Sequence, residues 1–230
     1  MQQEWPGKTR VLDVTCGIGT QSIGLAAQGY EVKASDLSTE EVERAKREAK
    51  QFGVAVDFSV CDVRKARTHH GTGFDLVLSA DNSLPHLLTQ QDLLLALTEM
   101  FECLAPGGGV LITVRDYQSE PRGKNIVKPY GARTDGGKRY LLFQVWDFED
   151  EQYELAFFFI EEDIVSGSVE TKVMRSRYYA ISTEALCELM RQVGFQDVRR
   201  LDGVFYQPVL IGTKPYNTSL DVDSQASRST

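Results

Sequence analysis

Two glycines separate an apolar run from a helical pattern near the start of the chain, and this turn constrains the possible folds more than any other feature. Val11–Val14 is typical of a buried strand, Gly17 and Gly19 follow it, and Gln21–Gln28 then favours a helix. Glycine is required where the backbone adopts unusual dihedral angles or approaches a ligand without a Cβ in the way. The pattern therefore predicts a strand–turn–helix unit whose turn binds a ligand.

Short β-type runs alternate with helical patterns through the first half of the chain. Ser38 and Thr89 are predicted N-caps of two helices, and Ser38 with Glu41 matches a capping box. Alternation of this kind predicts an α/β fold with a doubly wound, mostly parallel, Rossmann-like sheet, whose ligands bind at the carboxyl ends of the strands. The predicted strands of this half are Arg10–Val14, Glu31–Ala34, Val54–Val60, Phe74–Ala80 and Gly109–Val114.

The pattern changes after Val114. Tyr117–Arg139 is basic, rich in glycine and without hydrophobic periodicity, which predicts a long loop. Three β-type runs with hairpin-like breaks follow, near Tyr140–Phe148, Gln152–Ile160 and Ser168–Tyr179, and they predict an inserted small antiparallel β-sheet. The predicted organisation is a main ligand-binding domain of residues 1–116 and 180–214, an inserted antiparallel β subdomain of residues 117–179 and a disordered tail of residues 215–230.

The composition indicates one globular domain with room for a small insertion. The chain has 230 residues, of which 42% are hydrophobic and 25% are charged. Its formal net charge of -8 disfavours attraction to nucleic acid or to an anionic membrane, so we expect neither as a partner. Whether the chain assembles as a homo-oligomer is left open by the sequence.

The four cysteines lie far apart in the sequence, at Cys16, Cys61, Cys103 and Cys187. None belongs to a Cys-x-x-Cys pair, and no histidine lies at a metal-ligand spacing from them. This usage predicts reduced thiols in a cytoplasmic protein, with neither a disulfide framework nor a metal site. The N-terminus has no charged segment followed by an apolar run, so we expect no signal peptide.

Acidic residues lie at or just after the ends of the first three predicted strands. Asp13 precedes Gly17 by four residues, and Ser22 stands where a dinucleotide-binding turn has its third glycine. An acid beside the turn would repel a pyrophosphate but tolerate a ligand that carries an ammonium and a sulfonium group. Asp36, 19 residues after Gly17, can accept hydrogen bonds from both ribose hydroxyls of an adenosine, and Asp62 can accept one from an adenine amino group.

This set resembles the class I S-adenosylmethionine-dependent methyltransferases, from about Thr9 to Lys214. The family's acid-x-x-x-Gly-x-Gly turn, its acids after the second and third strands and its Pro-Gly-Gly before the fifth strand are matched by Asp13–Gly19, Asp36, Asp62 and Pro106–Gly108. The resemblance implies S-adenosyl-L-methionine as cofactor, S-adenosyl-L-homocysteine as product and a sheet whose last strand inserts antiparallel. The cofactor-binding residues that it implies are Asp13, Gly17, Gly19, Asp36, Leu37, Asp62, Val63 and Ala80.

Two further segments resemble the glycine and sarcosine N-methyltransferase group. Its Asn-Ser-x-x-His after the fourth strand, its carboxylate-clamping arginine after the fifth strand and its Tyr-Tyr pair before the next helix are matched by Asn82-Ser83 with His86, by Arg115 and by Tyr178-Tyr179. The resemblance implies that the inserted sheet acts as a lid over a small-molecule substrate. The catalytic residues that it implies are Asn82, His86, Arg115 and Tyr178.

The expected reaction is methyl transfer to the nitrogen of a small amino acid or amine. A planar guanidinium such as that of Arg115 binds a carboxylate through two hydrogen bonds and so fixes the amine at the other end of the substrate. Several alternatives stay open: Asp116 pairs with Arg115, His86 only hydrogen-bonds within a loop, the acceptor is another carboxylate-bearing metabolite methylated on oxygen or nitrogen, or the chain is a non-catalytic sensor that binds the cofactor.

Overall fold

The computed structural model describes residues 4–7 and 9–216, and the chain divides into two compact units. The first unit runs to Ser83 and includes Leu94–Arg115 and the chain from Thr183 onwards, whereas the second comprises Leu84–Leu93 and Asp116–Ser182. The predicted tail lies outside the described residues from position 217 onwards. None of the helices in the described part of the chain is long and apolar enough to cross a bilayer.

Strands and helices alternate along the first half of the chain. The strands are β1 Arg10–Asp13, β2 Glu31–Asp36, β3 Asp57–Val60, β4 Phe74–Ser79, β5 Leu104–Thr113, β6 Ile126–Asp135, β7 Lys138–Glu149, β8 Gln152–Asp163, β9 Val169–Tyr179, β10 Gln196–Leu201 and β11 Val209–Thr213. The helices are α1 Thr20–Ala27, α2 Thr39–Phe52, α3 Ala66–His70, α4 Gln90–Cys103 and α5 Thr183–Val193. Short 3-10 turns cover Val63–Lys65 and Leu84–His86.

The first unit contains a seven-stranded sheet of order β10-β11-β5-β4-β1-β2-β3. Strands β1 to β5 pair in parallel, and β11 lies antiparallel between β5 and β10. In this register Asp13 at the end of β1 lies beside Ala34 of β2 and Leu78 of β4, so the carboxyl ends of the central strands meet at one edge. The predicted doubly wound, mostly parallel fold with an antiparallel last strand is confirmed.

Apolar burial explains the central strands, and capping explains where helix α2 begins and ends. Val11, Leu12 and Val77 have no exposed surface, as expected for parallel strands that are covered on both faces. The Ser38 hydroxyl accepts a hydrogen bond from the amide of Glu41 at 3.2 Å, as predicted. The helix ends at Gly53 in the left-handed conformation, with φ of 69°.

Two predicted strand starts are wrong by three or more residues. Strand β3 begins at Asp57, not at Val54, and β5 begins at Leu104, immediately after α4, not at Gly109. The glycines before the expected start belong to β5 because Leu104 already pairs with Phe74 of β4, with a register irregularity before the next pair at Gly109. The backbones are also close at this point. A Cβ on Gly108 would lie 2.9 Å from the carbonyl oxygen of Ala105 and 3.0 Å from that of Asp75.

The second unit contains a four-stranded antiparallel sheet of order β6-β7-β8-β9. The prediction of a loop over Tyr117–Arg139 is wrong for β6, which lies within it, so the insertion has four strands where three were expected. Strand β6 shows no hydrophobic alternation because it is an edge strand and is mostly exposed on both faces. Its register also shifts between Pro129 and Gly131, residues that weaken any strand signal.

Candidate functional site

The glycine turn joins β1 to α1, and its two glycines are required for different reasons. Gly17 has φ of 52°, and a Cβ built on it would have no described atom within 4 Å. Gly19 has φ of 86°, and a Cβ there would lie 3.0 Å from both Ala45 of α2 and the ring of Phe58 of β3. Gly19 is therefore fixed by packing beneath the turn, whereas the backbone at Gly17 is open to a ligand.

Asp36 ties the glycine turn to the end of β2. Its Oδ2 accepts a hydrogen bond from the amide of Gly17 at 2.9 Å, and its Oδ1 accepts one from the amide of Ser38 at 2.9 Å. A carboxylate oxygen has two lone-pair directions, so each oxygen keeps capacity for one further donor. The side chain of the adjacent Leu37 is 69% exposed at the same strand end. This arrangement is suited to accept hydrogen bonds from a pair of ribose hydroxyls.

Asp13 lies beneath the turn, whereas it was predicted to lie beside the ligand. It is 1% exposed, and its carboxylate accepts hydrogen bonds from the hydroxyl of Ser22 at 2.7 Å and from the amide of Thr15 at 3.3 Å. Burial raises the pKa of Asp13 to about 7, the two hydrogen bonds oppose this shift, and the charge of Asp36 adds to it. Asp13 therefore positions the turn from below.

Ser22 is a positioning residue. From the sequence alone it was notable only because it replaces the third glycine of a dinucleotide-binding turn. It is fully buried, and its hydroxyl donates to the carboxylate of Asp13. A glycine at this position would leave that carboxylate oxygen without its donor. The available signal was the polar residue in a buried helical position, one turn after the glycines.

Asp62 follows β3 and is held by its own neighbour. Its carboxylate caps the Val63–Lys65 turn by accepting from the amide of Arg64 at 2.9 Å, and it pairs with the Arg64 guanidinium at 2.6 Å. These contacts lower the pKa of Asp62, with the side-chain hydrogen bond from Arg64 as the largest cause. Asp62 is thus ionised and oriented at the strand end, and Val63 beside it is buried.

The turn after β4 is hydrogen-bonded to the end of β5. Asp81 and Asn82 both have positive φ, of 58° and 62°, which is uncommon for residues other than glycine. The Oδ1 of Asn82 accepts a hydrogen bond from the amide of Arg115 at 3.0 Å, and the amide of Asn82 donates to the carbonyl of Thr113 at 3.0 Å. Two of the predicted substrate residues, Asn82 and Arg115, are therefore joined directly, next to the buried Ala80.

Thr113 and Gln207 support this turn, and neither was predicted from the sequence. The hydroxyl of Thr113 accepts from the amide of Asp81 at 2.7 Å and donates to Oε1 of Gln207 at 3.1 Å. Both side chains are buried. The Tyr206 hydroxyl also donates to the carboxylate of Asp81. A polar residue ending a buried strand was the only local signal for Thr113.

The other two predicted substrate residues, His86 and Tyr178, pair within the second unit. Their ring centroids lie 4.1 Å apart, and Nδ1 of His86 hydrogen-bonds to the hydroxyl of Ser176 at 3.2 Å. Tyr178 also stacks on the buried ring of Tyr153, with 5.1 Å between centroids. The neighbouring Tyr179 does not take part in this pair, and its hydroxyl donates a hydrogen bond to the carboxylate of Glu151 at 3.2 Å. The four residues thus form two pairs, one in each unit.

Comparison with known proteins identifies the family. A family model of a methyltransferase domain matches residues 11–108, which include the glycine turn and the three strand-end acids. The glycine/sarcosine N-methyltransferase of Aphanothece halophytica is 31% identical over 195 residues, which are 84% of this chain and 68% of that relative. The chain belongs to the S-adenosylmethionine-dependent methyltransferase family.

Other relatives match this chain over shorter segments. The glycine N-methyltransferase of Mus musculus is 32% identical over 137 residues, 52% of this chain and 47% of the relative. The chain spans less than half the length of several curated relatives that it matches, between 41% and 47%. The solved structure of CalS10, an amino pentose methyltransferase from Micromonospora echinaspora, covers 93% of this methyltransferase and 86% of its own chain, with a TM-score of 0.79 at 17% identity. That likeness shows the fold.

Proposed function

We propose that this chain transfers the methyl group of S-adenosyl-L-methionine to the nitrogen of a small amino acid or amine of the glycine and sarcosine type. The observation that carries the proposal is the hydrogen bond from the amide of Arg115 to Oδ1 of Asn82, at 3.0 Å. It holds a guanidinium-bearing residue beside an amide side chain at the carboxyl edge of the sheet, where ligands of such folds bind.

The residues at the glycine turn fit the proposed cofactor. Gly17 leaves an open backbone, and Asp36 presents a carboxylate that accepts hydrogen bonds next to it. Bound S-adenosyl-L-methionine supplies a methyl group on a positively charged sulfur, and its transfer needs no covalent intermediate with the protein. The carboxylate of Asp36 gives this edge a negative potential, which favours a cationic ligand over a phosphate. Asp13, with a pKa of about 7, and Asp62, which is paired with Arg64, add less to it.

In the proposed mechanism the protein acts by alignment. Arg115 binds the substrate carboxylate through two hydrogen bonds, and Asn82 orients the end of β5 from which Arg115 extends. The substrate nitrogen attacks with its lone pair and therefore reacts in its unprotonated form, and the proton that it then loses passes to water. Holding the two reacting atoms about 3 to 3.5 Å apart makes the step effectively unimolecular. His86 and Tyr178 remain predicted substrate residues of the second unit.

The relatives support an amine acceptor without excluding other acceptors. Glycine/sarcosine N-methyltransferases of three organisms match at 30% to 33% identity. The ubiquinone biosynthesis O-methyltransferase of Xanthomonas axonopodis is 32% identical over 108 residues, 47% of this chain and 44% of that relative. The experiment therefore has to distinguish a nitrogen acceptor from an oxygen acceptor.

A methylation screen followed by mass spectrometry tests the proposal. The purified chain is incubated with S-adenosyl-L-methionine and, separately, glycine, sarcosine, dimethylglycine, other small amines and carboxylates that lack an amine. We expect one added methyl group on at least one amino acid nitrogen. Methylation only of hydroxyl or carboxylate groups would replace the proposed substrate class while keeping the family.

The same screen separates an enzyme from a cofactor-binding sensor. Calorimetry with S-adenosyl-L-homocysteine measures cofactor binding independently of any acceptor, and Asp36→Ala should weaken it at least tenfold because the ribose acceptor is lost. Asp57→Ala, which removes an exposed partner of Lys33 at the start of β3, is the matched control. Binding by the wild type without methylation of any acceptor would favour the sensor.

The proposal includes a cytoplasmic location. The four cysteines are buried and free, which suits a reducing compartment. A small-molecule acceptor is consistent with the net charge of -8, which opposes binding to nucleic acid.

A further inference from the structure

Three side chains that can bind a metal ion come together below the end of β3. Cys61 directly follows β3, and His69 and His70 form the end of α3. One ligand atom from each residue lies within 4.8 Å of the other two. In a tetrahedral zinc site with ordinary bond lengths, neighbouring ligand atoms are about 3.3 to 3.6 Å apart. Small side-chain rotations are therefore sufficient to close the three ligands around one ion.

Both imidazole rings are held by serine hydroxyls. Nε2 of His70 hydrogen-bonds to Ser35 of β2 at 2.9 Å, and Nε2 of His69 hydrogen-bonds to Ser59 of β3 at 3.0 Å. The rings meet edge to face, with 4.6 Å between their centroids. Hydrogen bonds of this kind set the tautomer and orientation of metal-binding histidines, and here the two serine hydroxyls provide them.

We propose that Cys61, His69 and His70 bind a Zn²⁺ ion, with water as the fourth ligand. One thiolate and two imidazoles form a ligand set that suits zinc, whereas magnesium and calcium require oxygen ligands. The Cys61 thiol is buried, is not part of a disulfide and donates a hydrogen bond to the carbonyl oxygen of Asp62 at 3.2 Å. Its sulfur binds the ion when this proton is displaced. His69 is exposed and provides the side from which the ion enters.

The ion would tie α3 to the two strands that end in the cofactor acids. Ser35 precedes Asp36 in β2, and Cys61 precedes Asp62. A metal bound here stabilises the strand ends from below and takes no part in methyl transfer. The proposal therefore does not depend on which acceptor the chain methylates, and its test uses no activity measurement.

Cobalt titration of the full chain tests the site. The protein is first reduced and treated with a chelator, and Co²⁺ is then added while the absorption spectrum is recorded. We expect one equivalent of Co²⁺ to give a thiolate-to-cobalt charge-transfer band and the visible bands of a four-coordinate site, and Zn²⁺ to abolish both. At a hundredfold excess of free Zn²⁺ over its Kd, the Tm should rise by about 5 to 10 °C.

Three variants make the result specific. Cys61→Ser should abolish the charge-transfer band, and His69→Gln should weaken Co²⁺ binding at least tenfold. Because His69 is exposed, this variant keeps the core intact even if Cys61→Ser does not fold. Cys187→Ser replaces a buried free cysteine of α5 and should bind Co²⁺ as the wild type does. Absence of a thiolate band at one equivalent, or a band that persists in Cys61→Ser, would overturn the proposal.

Discussion

Asp13 is a buried acid that supports the glycine turn through hydrogen bonds to Ser22 and Thr15. Burial raises its pKa from 3.8 to about 7, which corresponds to about 4 kcal/mol of free energy in favour of the protonated form. The turn therefore carries an electrostatic cost when Asp13 is ionised. A cationic ligand above the turn reduces that cost, because it favours the carboxylate form.

The stability of the folded chain should depend on pH through this residue. Because the folded-state pKa of Asp13 is raised, the folded state binds the proton more tightly, so the stabilising contribution is complete below about pH 4 and is lost as the pH rises towards about 7. Asp13→Asn cannot titrate. From about pH 5 to about pH 8, the free energy of unfolding of the wild type should fall by about 3 kcal/mol relative to Asp13→Asn.

Urea unfolding of both proteins at the two pH values measures this difference. All other titrating groups are shared, so the comparison isolates Asp13. A difference in unfolding free energy that stays constant between the two pH values would show that Asp13 titrates normally in the folded protein.

Arg115 is the residue on which the proposed substrate class depends. Replacing it with alanine removes a charge-assisted, two-point contact to a carboxylate, which is worth about 1.5 to 3 kcal/mol. We expect kcat/KM for an amino acid acceptor to fall about 10- to 100-fold, mainly through a higher KM. Arg115→Lys should recover only part of this loss, because an ammonium cannot bind both carboxylate oxygens in the same way.

Steady-state kinetics with the acceptor found in the methylation screen provide the measurement. Arg139→Ala is the matched control, since Arg139 is an exposed arginine paired with Glu162 on the second sheet. Wild-type kinetics for Arg115→Ala would remove the carboxylate clamp from the mechanism, whatever the chain methylates.

At the level of elements, hydrogen bonds from the end of β5 hold the turn after β4 in its strained conformation. Two consecutive residues with positive φ, Asp81 and Asn82, are held by the hydroxyl and carbonyl of Thr113. Such backbone costs about 1 to 3 kcal/mol per residue and persists only where the surroundings hold it. Gln207, just before β11, completes the support through Thr113.

Thr113→Val tests this support with almost no change in side-chain volume. It leaves the amide of Asp81 and Oε1 of Gln207 without their partner, so we expect a loss of about 1 to 3 kcal/mol in the free energy of unfolding. If the turn positions Arg115, kcat/KM for the acceptor should also fall. Unfolding curves and kinetics are measured on the same preparations.

Thr213→Val is the matched control for this element. Thr213 ends the antiparallel neighbour of β5, and its hydroxyl accepts only from Trp5 among the contacts described. The Thr213→Val variant should lose stability without a comparable change in kcat/KM. Equal kinetic losses in the two variants would mean that the turn has no positioning role.

At the level of the whole molecule, the strand–helix alternation of the first unit could be predicted because it depends on local periodicity. The capping of α2 by Ser38 was predicted correctly from its neighbours, whereas the antiparallel last strand was implied by the resemblance to the methyltransferase family. Strand β6 was missed because an edge strand exposed on both faces needs no apolar alternation. Its pairing with β7 is what makes it a strand.

Residues that are far apart in the sequence account for the missed part of the site. Thr113 and Gln207 meet across 94 positions, and no spacing rule relates them. His70 and Ser35 likewise meet across 35 positions, because α3 packs back towards the ends of β2 and β3. The expectation of no metal site considered only short spacings in the sequence, whereas Cys61 approaches His69 and His70 through packing. The cobalt titration tests that expectation.

The amino-acid sequence by itself determined the alternating elements, the glycine turn and the acids at the strand ends, because each depends on steric and hydrogen-bonding preferences of neighbouring residues. Only the tertiary structure decided that Asp13 lies under the turn, that Asn82 bonds the backbone of Arg115, and that Cys61 approaches two histidines. Burial and long-range contacts arise when elements pack together, and packing is set by the whole chain, not by any local segment.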